Sequence, residues 1–157
     1  MSERFEISPA GDGEREWAAR LMAGTDPWIR LGRDLERCRA ACNNREDLLY
    51  LAHRGTEGKG EACGLLLMRR RGVAGAPYIV SLAVREDLRG LGVGGRMLQF
   101  AEDFFRGESR HIFMCVSSFN RRARELYERV GYRVVGEFPD YIIEGESEFL
   151  LWKRLRS

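Results

Sequence analysis

Apolar and polar positions alternate along this chain with a period that changes in an ordered way. Phe5 and Ile7 alternate with charge in "RFEIS", the two-residue period of a half-buried strand. In "DGEREWAARLMA", Trp17, Ala18, Leu21 and Met22 fall on one helical face, with Asp12 placed to cap the helix and Gly24 to end it. "TDPW" is turn chemistry. Leu31, Leu35, Cys38 and Cys42 follow at spacings of 4, 3 and 4, which predicts a second amphipathic helix over "LGRDLERCRAAC". "DLLYLAHR" and "EACGLLLMRR" are apolar runs on either side of "GTEGKG", giving a strand, a glycine-rich hairpin loop and a strand. "APYIVSLAV", bounded in front by Gly75 and Pro77, is a further strand.

In the second half, Met97, Leu98, Ala101, Phe104 and Phe105 form the apolar face of a helix over "RMLQFAEDFF", closed by Gly107. "HIFMCV" is short and continuously apolar, the pattern of a central strand buried on both faces. "NRRARELYERVG" sets Ala123, Leu126, Tyr127 and Val130 on one face, between Asn120 as N-cap and Gly131 just past the C-terminus. "YRVVGEF" and "EFLLWKRL" are closing strands around "PDYIIEGES". The predicted order is β-α-α-β-β-β-α-β-α-β-β, an α/β or α+β fold with a mixed sheet. No repeat, low-complexity tract or linker divides it, so residues 1–157 read as one domain.

Composition narrows the function classes. Of 157 residues, 44% are hydrophobic, and the net charge of +2 comes from acids and bases that are interspersed almost everywhere. Without a basic stripe, no nucleic-acid partner is expected. The main exception, "MRRRG", reads as a solvated strand end. No apolar run approaches the ~18 residues needed to span a bilayer, and "MSERFEISPAGDGEREW" lacks the apolar stretch of a signal peptide. Cys38, Cys42, Cys63 and Cys115 show no metal spacing with each other or with His53 and His111. They read as free thiols, Cys38 and Cys42 on a buried helical stripe, and imply a reducing, cytoplasmic setting.

The chemistry concentrates in "REDLRGLGVGGRML". Gly90, Gly92, Gly94 and Gly95 lie within six positions, directly ahead of a helix. Such a stretch lets successive backbone N–H groups face one anion at a helix N-terminus. A dinucleotide fingerprint would need an acid about 20 residues on, at the end of the next strand, to bind a ribose. That strand ends in Ser117 and Ser118, and no G-K-[ST] follows for a P-loop.

"SLAVREDLRGLGVGGRML", followed by "NRRARELYERVGYR", resembles the two core motifs of the GCN5-related N-acetyltransferase (GNAT) superfamily. The first motif, [Q/R]-x-x-G-x-[G/A], is met by Arg89, Gly92 and Gly94. The second is met by Asn120, Tyr127 and "GYR". The resemblance covers residues ~45 to 155 and is nearest in look to the ribosomal-protein alanine N-acetyltransferase branch.

That resemblance implies a mostly antiparallel sheet of six to seven strands with about four helices, splayed between the fourth and fifth strands. It implies transfer of an acetyl group from acetyl-CoA to a primary amine. Backbone groups of Leu82, Ala83 and Val84 would hold the pantetheine arm. Arg89, Gly90, Leu91, Gly92, Val93, Gly94 and Gly95 would hold the pyrophosphate, with Asn120 also at the cofactor. Tyr127 would protonate the leaving thiolate. The related alanine acetyltransferases carry a Glu where this chain has Cys115, so the base is left open. No single carboxylate in the central slot is expected to act as the base, and Glu144, Glu146 and Glu148 in the closing hairpin are the substitutes to test. Trp28 and Tyr141 are exposed-loop aromatics that suit an acceptor wall. A peptide N-terminus is the first acceptor expected, a small-molecule amine the second. A non-catalytic acyl-CoA sensor and a nicotinamide enzyme are the other classes. A homodimer is compatible with all of these, and no metal is expected.

Overall fold

The chain runs β1 (Phe5–Pro9), α1 (Asp12–Ala23), α2 (Leu35–Cys42), β2 (Asp47–Arg54), β3 (Ala62–Val73) and β4 (Ala76–Val84). A single 3-10 turn, Glu86–Leu88, leads to α3 (Val93–Phe105), β5 (His111–Ser117), α4 (Arg121–Arg129), β6 (Arg133–Pro139) and β7 (Ser147–Arg154). In the computed structural model, which describes residues 4–55 and 60–156, the seven strands form one sheet in the order β1-β2-β3-β4-β5-β7-β6. Every pair is antiparallel except β4 with β5. The tip of the "GTEGKG" hairpin, 56–59, lies outside the described residues.

Helices cover both faces of the sheet. On one face α3 and α4 pack with β-strand residues in a cluster that includes Leu66, Ile79, Met97, Leu98, Phe105 and Tyr127. On the other, α1 and α2 build a second cluster around Ala18, Met22, Cys38, Cys42, Leu65 and Leu67. The alternation of β3 distributes Leu65 and Leu67 to one cluster and Leu66 and Met68 to the other. Burial of Cys42 and Cys63 pushes both thiols up to about 11, so they stay protonated packing groups.

Local chemistry moves several predicted boundaries. The N-cap of α1 is Gly11, whose N–H donates to Glu14 Oε1 at 3.0 Å, and Asp12 is the first helical residue. The second helix begins at Leu35, not Leu31, because Asp34 accepts from the Arg37 N–H at 2.9 Å and caps it there. The third helix ends at Phe105 ahead of Gly107, with the N–H groups of Glu108 and Ser109 both reaching the Phe105 carbonyl. Gly131 does take a left-handed φ of +106°, after α4. The run "MRRRG" is a solvated strand end, where Arg69 pairs with buried Asp47 at 2.6 Å and Arg70 with Glu108.

A buried ion pair ties the sheet to α3. Lys153 Nζ donates to Glu102 Oε1 and to the Val130 carbonyl, both at 2.7 Å. Packing is close at Gly64 of β3, where a Cβ would lie 2.8 Å from Met97 Cε and 3.0 Å from the Ala83 carbonyl oxygen. Gly64→Ala is therefore expected to lower stability by about 1–2 kcal/mol through overpacking. Urea unfolding with a lower midpoint and an unchanged slope is the expected reading.

Candidate active site

The site begins with a break in the sheet. β4 pairs with β5 only at Tyr78↔Phe113 and Ile79↔Met114. On its other side, the register with β3 steps from Met68↔Ile79 to Leu67↔Ser81, leaving Val80 as the extra residue of a bulge. Beyond this point β4 and β5 diverge. The backbone groups of β4 that point away from β3 then face a gap and not a strand.

The gap opens on both faces of the sheet. On the α3–α4 face it widens into a cavity of about 490 Å³, bounded by Leu82, Ala83 and Val84 of β4, by the glycine loop and by α4. On the α1–α2 face it continues as a smaller cavity of about 200 Å³. Pro27, Trp28, Leu82, Asn120 and Tyr127 line both, so the two lobes meet at these residues.

The glycines of the large lobe have separable reasons. Gly90 and Gly92 take left-handed φ values of +82° and +86°, and Gly92 is the N-cap of α3. A Cβ at Gly94 would lie 3.1 Å from Leu126 Cδ2, so this position serves close packing of α3 on α4. Gly95 is inside the helix, has no left-handed φ, and a Cβ there would meet nothing within 4 Å. A helical glycine costs about 1 kcal/mol relative to alanine, yet neither backbone nor packing requires it at position 95. Its bare surface faces the cavity.

The first intrahelical bond of α3 runs from the Arg96 N–H to the Gly92 carbonyl at 3.1 Å. The N–H groups of Val93, Gly94 and Gly95 precede it and have no helical acceptor, at the positive end of the helix dipole. Arg89, Arg122 and Arg129 stand around the same lobe, and none is ion-paired among the described residues. Cations and open amides make this lobe an anion cradle. Leu91 is 45% exposed and outside the lining, so its side chain takes no part in the cavity wall.

At the junction, Tyr127 is 6% exposed, and burial raises its pKa, which keeps the phenol protonated. The Asn120 side chain accepts from the Ala123 N–H at 3.4 Å and caps α4, while the residue also lines both lobes. In the small lobe, Tyr78, Cys115 and Glu148 come together. Burial raises the pKa of Cys115, whose thiol neighbours the Tyr78 hydroxyl. Burial likewise raises the pKa of Tyr78.

Glu148 is a carboxylate in the lining of the small lobe. β5 pairs with β7 through Ser117↔Glu148 and Cys115↔Leu150, which puts Glu148 on the same sheet face as Cys115. Of the three acids named from sequence, only Glu148 lines the lobe. Glu146 accepts from Ser118 Oγ and lies 4.0 Å from Arg30, and Glu144 is exposed. The strand HIFMCVS is likewise not buried on both faces alike: Ile112, Met114 and Val116 are buried, whereas Phe113 and Cys115 are half-buried.

Trp28 is a wall of the site, but as a buried residue at 7% exposure and not an exposed aromatic. Tyr141 lies outside both lobes, 69% exposed and packed on Phe138 at a centroid distance of 5.4 Å. Tyr78 and Arg33 were not anticipated. Tyr78 reads as one more apolar strand residue, and Arg33 as one more loop cation.

The chain is 35% identical over 82 residues to an uncharacterized N-acetyltransferase of Methanocaldococcus jannaschii, covering 51% of this chain and 53% of that protein. It is 36% identical over 78 residues to the blasticidin-S acetyltransferase of Streptomyces morookaense, covering 50% and 57%. The chain thus spans about half the length of these curated relatives. Arabidopsis thaliana NAA60, solved in complex with acetyl-CoA, superposes with a TM-score of 0.78 over 98% of this chain and 100% of its own, at 16% identity, and so shares the fold. The model of the acetyltransferase (GNAT) family matches residues 15–132, and the chain belongs to that family.

Proposed function

We propose that the chain is an acetyl-CoA-dependent N-acetyltransferase that acylates a primary amine. The observation that carries this reading is the slot beyond Ile79 and Met114, which joins an anion cradle on one sheet face to a lobe holding Glu148 on the other. A bare Gly95 and the open amides at the start of α3 suit a pyrophosphate that approaches the backbone closely. The gap-facing edge of Leu82, Ala83 and Val84 offers amides and carbonyls to the pantetheine arm in the manner of an added strand. Arg89 supplies charge at the loop, and Arg122 and Arg129 supply it at the rim.

The remaining residues divide the proton traffic. Glu148 accepts a proton from the incoming ammonium on the α1–α2 side. Tyr127, kept neutral by burial, donates to the departing sulfur at the junction. Cys115 stays a thiol, so it offers neither a base nor a nucleophile, and transfer goes directly from thioester to amine. A sensor that only bound acyl-CoA would have no use for a carboxylate and a buried phenol on opposite sides of the same slot.

Release of coenzyme A, followed with a thiol reagent in the presence of primary amines, tests the reading. Glu148→Gln sharpens it. An amine of pKa ~8 is about one-tenth neutral at pH 7, so a base acting on the resting ammonium gains about tenfold there. Glu148→Gln is expected to lose about that factor in kcat/KM at pH 7, with the loss shrinking as pH rises through ~8. Superimposable pH profiles for the variant and the parent protein would remove Glu148 from the mechanism.

A further inference from the structure

The small lobe carries two ionic side chains of opposite sign. Glu148 is half-buried near Tyr78 and Cys115, and Arg33 is exposed, in the turn between α1 and α2. Arg33 has no ion-pair partner among the described residues. Its neighbour Arg30 is engaged elsewhere, with its guanidinium 4.1 Å from the centroid of the Phe119 ring and 4.0 Å from Glu146. The same lobe is lined by the apolar side chains of Met22, Trp28, Leu31 and Ile142, with Ser81, Ser117 and Asn120 among its polar residues. The lobe measures about 200 Å³, below the ~300 Å³ at which drug-sized pockets begin. Part of that space belongs to the slot itself.

We infer that the acceptor is a small amine that also carries a carboxylate, in the manner of a free amino acid with an apolar side chain. This rests on the N-acetyltransferase reading and specifies its second substrate. The ammonium faces Glu148, the carboxylate faces Arg33, and the side chain lies along Trp28 and Leu31. A planar guanidinium pairs two-pronged with a carboxylate, which a peptide N-terminus replaces with an uncharged amide. An acceptor lacking the carboxylate leaves Arg33 without a partner. An acceptor lacking the ammonium leaves Glu148 without one. The pair therefore selects both groups together.

The test compares L-leucine and L-methionine with their carboxamides as acceptors, by initial rates of coenzyme A release. The amide's amine is the less basic and more readily neutral, so intrinsic reactivity runs against the expected preference. The parent protein is expected to favour each amino acid over its amide by about tenfold or more in kcat/KM. Arg33→Gln is expected to reduce that preference to within about twofold, and Arg33→Lys to restore part of it. Calorimetric affinity for acetyl-CoA should be the same in all three proteins, because Arg33 lies outside the large lobe. Amides turned over as well as amino acids, or a preference that survives in Arg33→Gln, would overturn the inference and leave the N-acetyltransferase reading standing. Absence of coenzyme A release with every amine, amides included, would overturn both.

Discussion

Replacing Gly95 with Glu is expected to weaken acetyl-CoA binding by about a hundredfold or more, which is ~2.7 kcal/mol, while the protein unfolds no earlier than its parent. The two halves of this result have separate causes. Glu at the third position of a helix is favourable to the helix, since its charge meets the positive end of the dipole. A Cβ at Gly95 has open space and an ordinary helical backbone, so no strain arises. The same side chain, however, fills the cradle and sets a carboxylate against an anion. Calorimetric titration with acetyl-CoA, paired with a thermal melt, separates these effects. Gly92→Val does not separate them, because φ of +86° strains any β-branched residue and damages the α3 cap at the same time. Parent-like affinity in Gly95→Glu would dismiss the glycine loop as the anion site.

Tyr127→Phe is expected to reduce kcat by about 10²-fold or more while leaving acetyl-CoA affinity and stability close to those of the parent. The ring stays in the cluster it shares with Leu98, Ile112 and Val116, so packing is preserved. What is lost is the donor that meets developing charge on sulfur. Burial raises the Tyr127 pKa, so the phenol is protonated throughout the neutral range, and its contribution should not titrate there. The reduction is therefore expected to be uniform from pH 6 to pH 9, unlike the pH-dependent loss in Glu148→Gln. A variant with parent-like turnover where chemistry limits the rate would leave Tyr127 as core packing alone.

The element order was legible because period is local. Two-residue and 3.6-residue patterns survive without tertiary information, and each of the seven strands and four helices leaves one. The lining of the large lobe, where the proposed donor would sit, was legible in part for the same reason, since Arg89 to Gly95 and Asn120 to Tyr127 are two short contiguous stretches. Boundaries failed where one residue's hydrogen bond decided them. Asp34 caps the second helix after Leu31 has already fallen into phase with Leu35 by chance. Gly94 and Gly95 read as loop because glycine is a poor helix former, and the helix nevertheless starts at Val93. In the small lobe, Trp28, Cys115 and Glu148 could be named from sequence, but their meeting with Arg33 and Tyr78 could not. Arg33, Tyr78, Cys115 and Glu148 come from four distant segments, and only the β5–β7 register turns Glu148 toward the slot.

The placement of α1–α2 and α3–α4 on opposite faces of the sheet has an evolutionary consequence. On the proposed reading, the lobe that would take the donor rests on one apolar cluster and the lobe that would take the acceptor on the other, and the strands between them are the shared partition. Changes at Met22, Leu31, Arg33 or Ala41, which line only the small lobe, can reshape it while α3 and its open amides keep their own support, whereas Pro27 and Trp28 line both lobes. Such distant substitutions combine nearly additively. The architecture works as a fixed socket with an interchangeable jaw. New acceptors can be accommodated from one side of the sheet without the donor having to be recognised afresh.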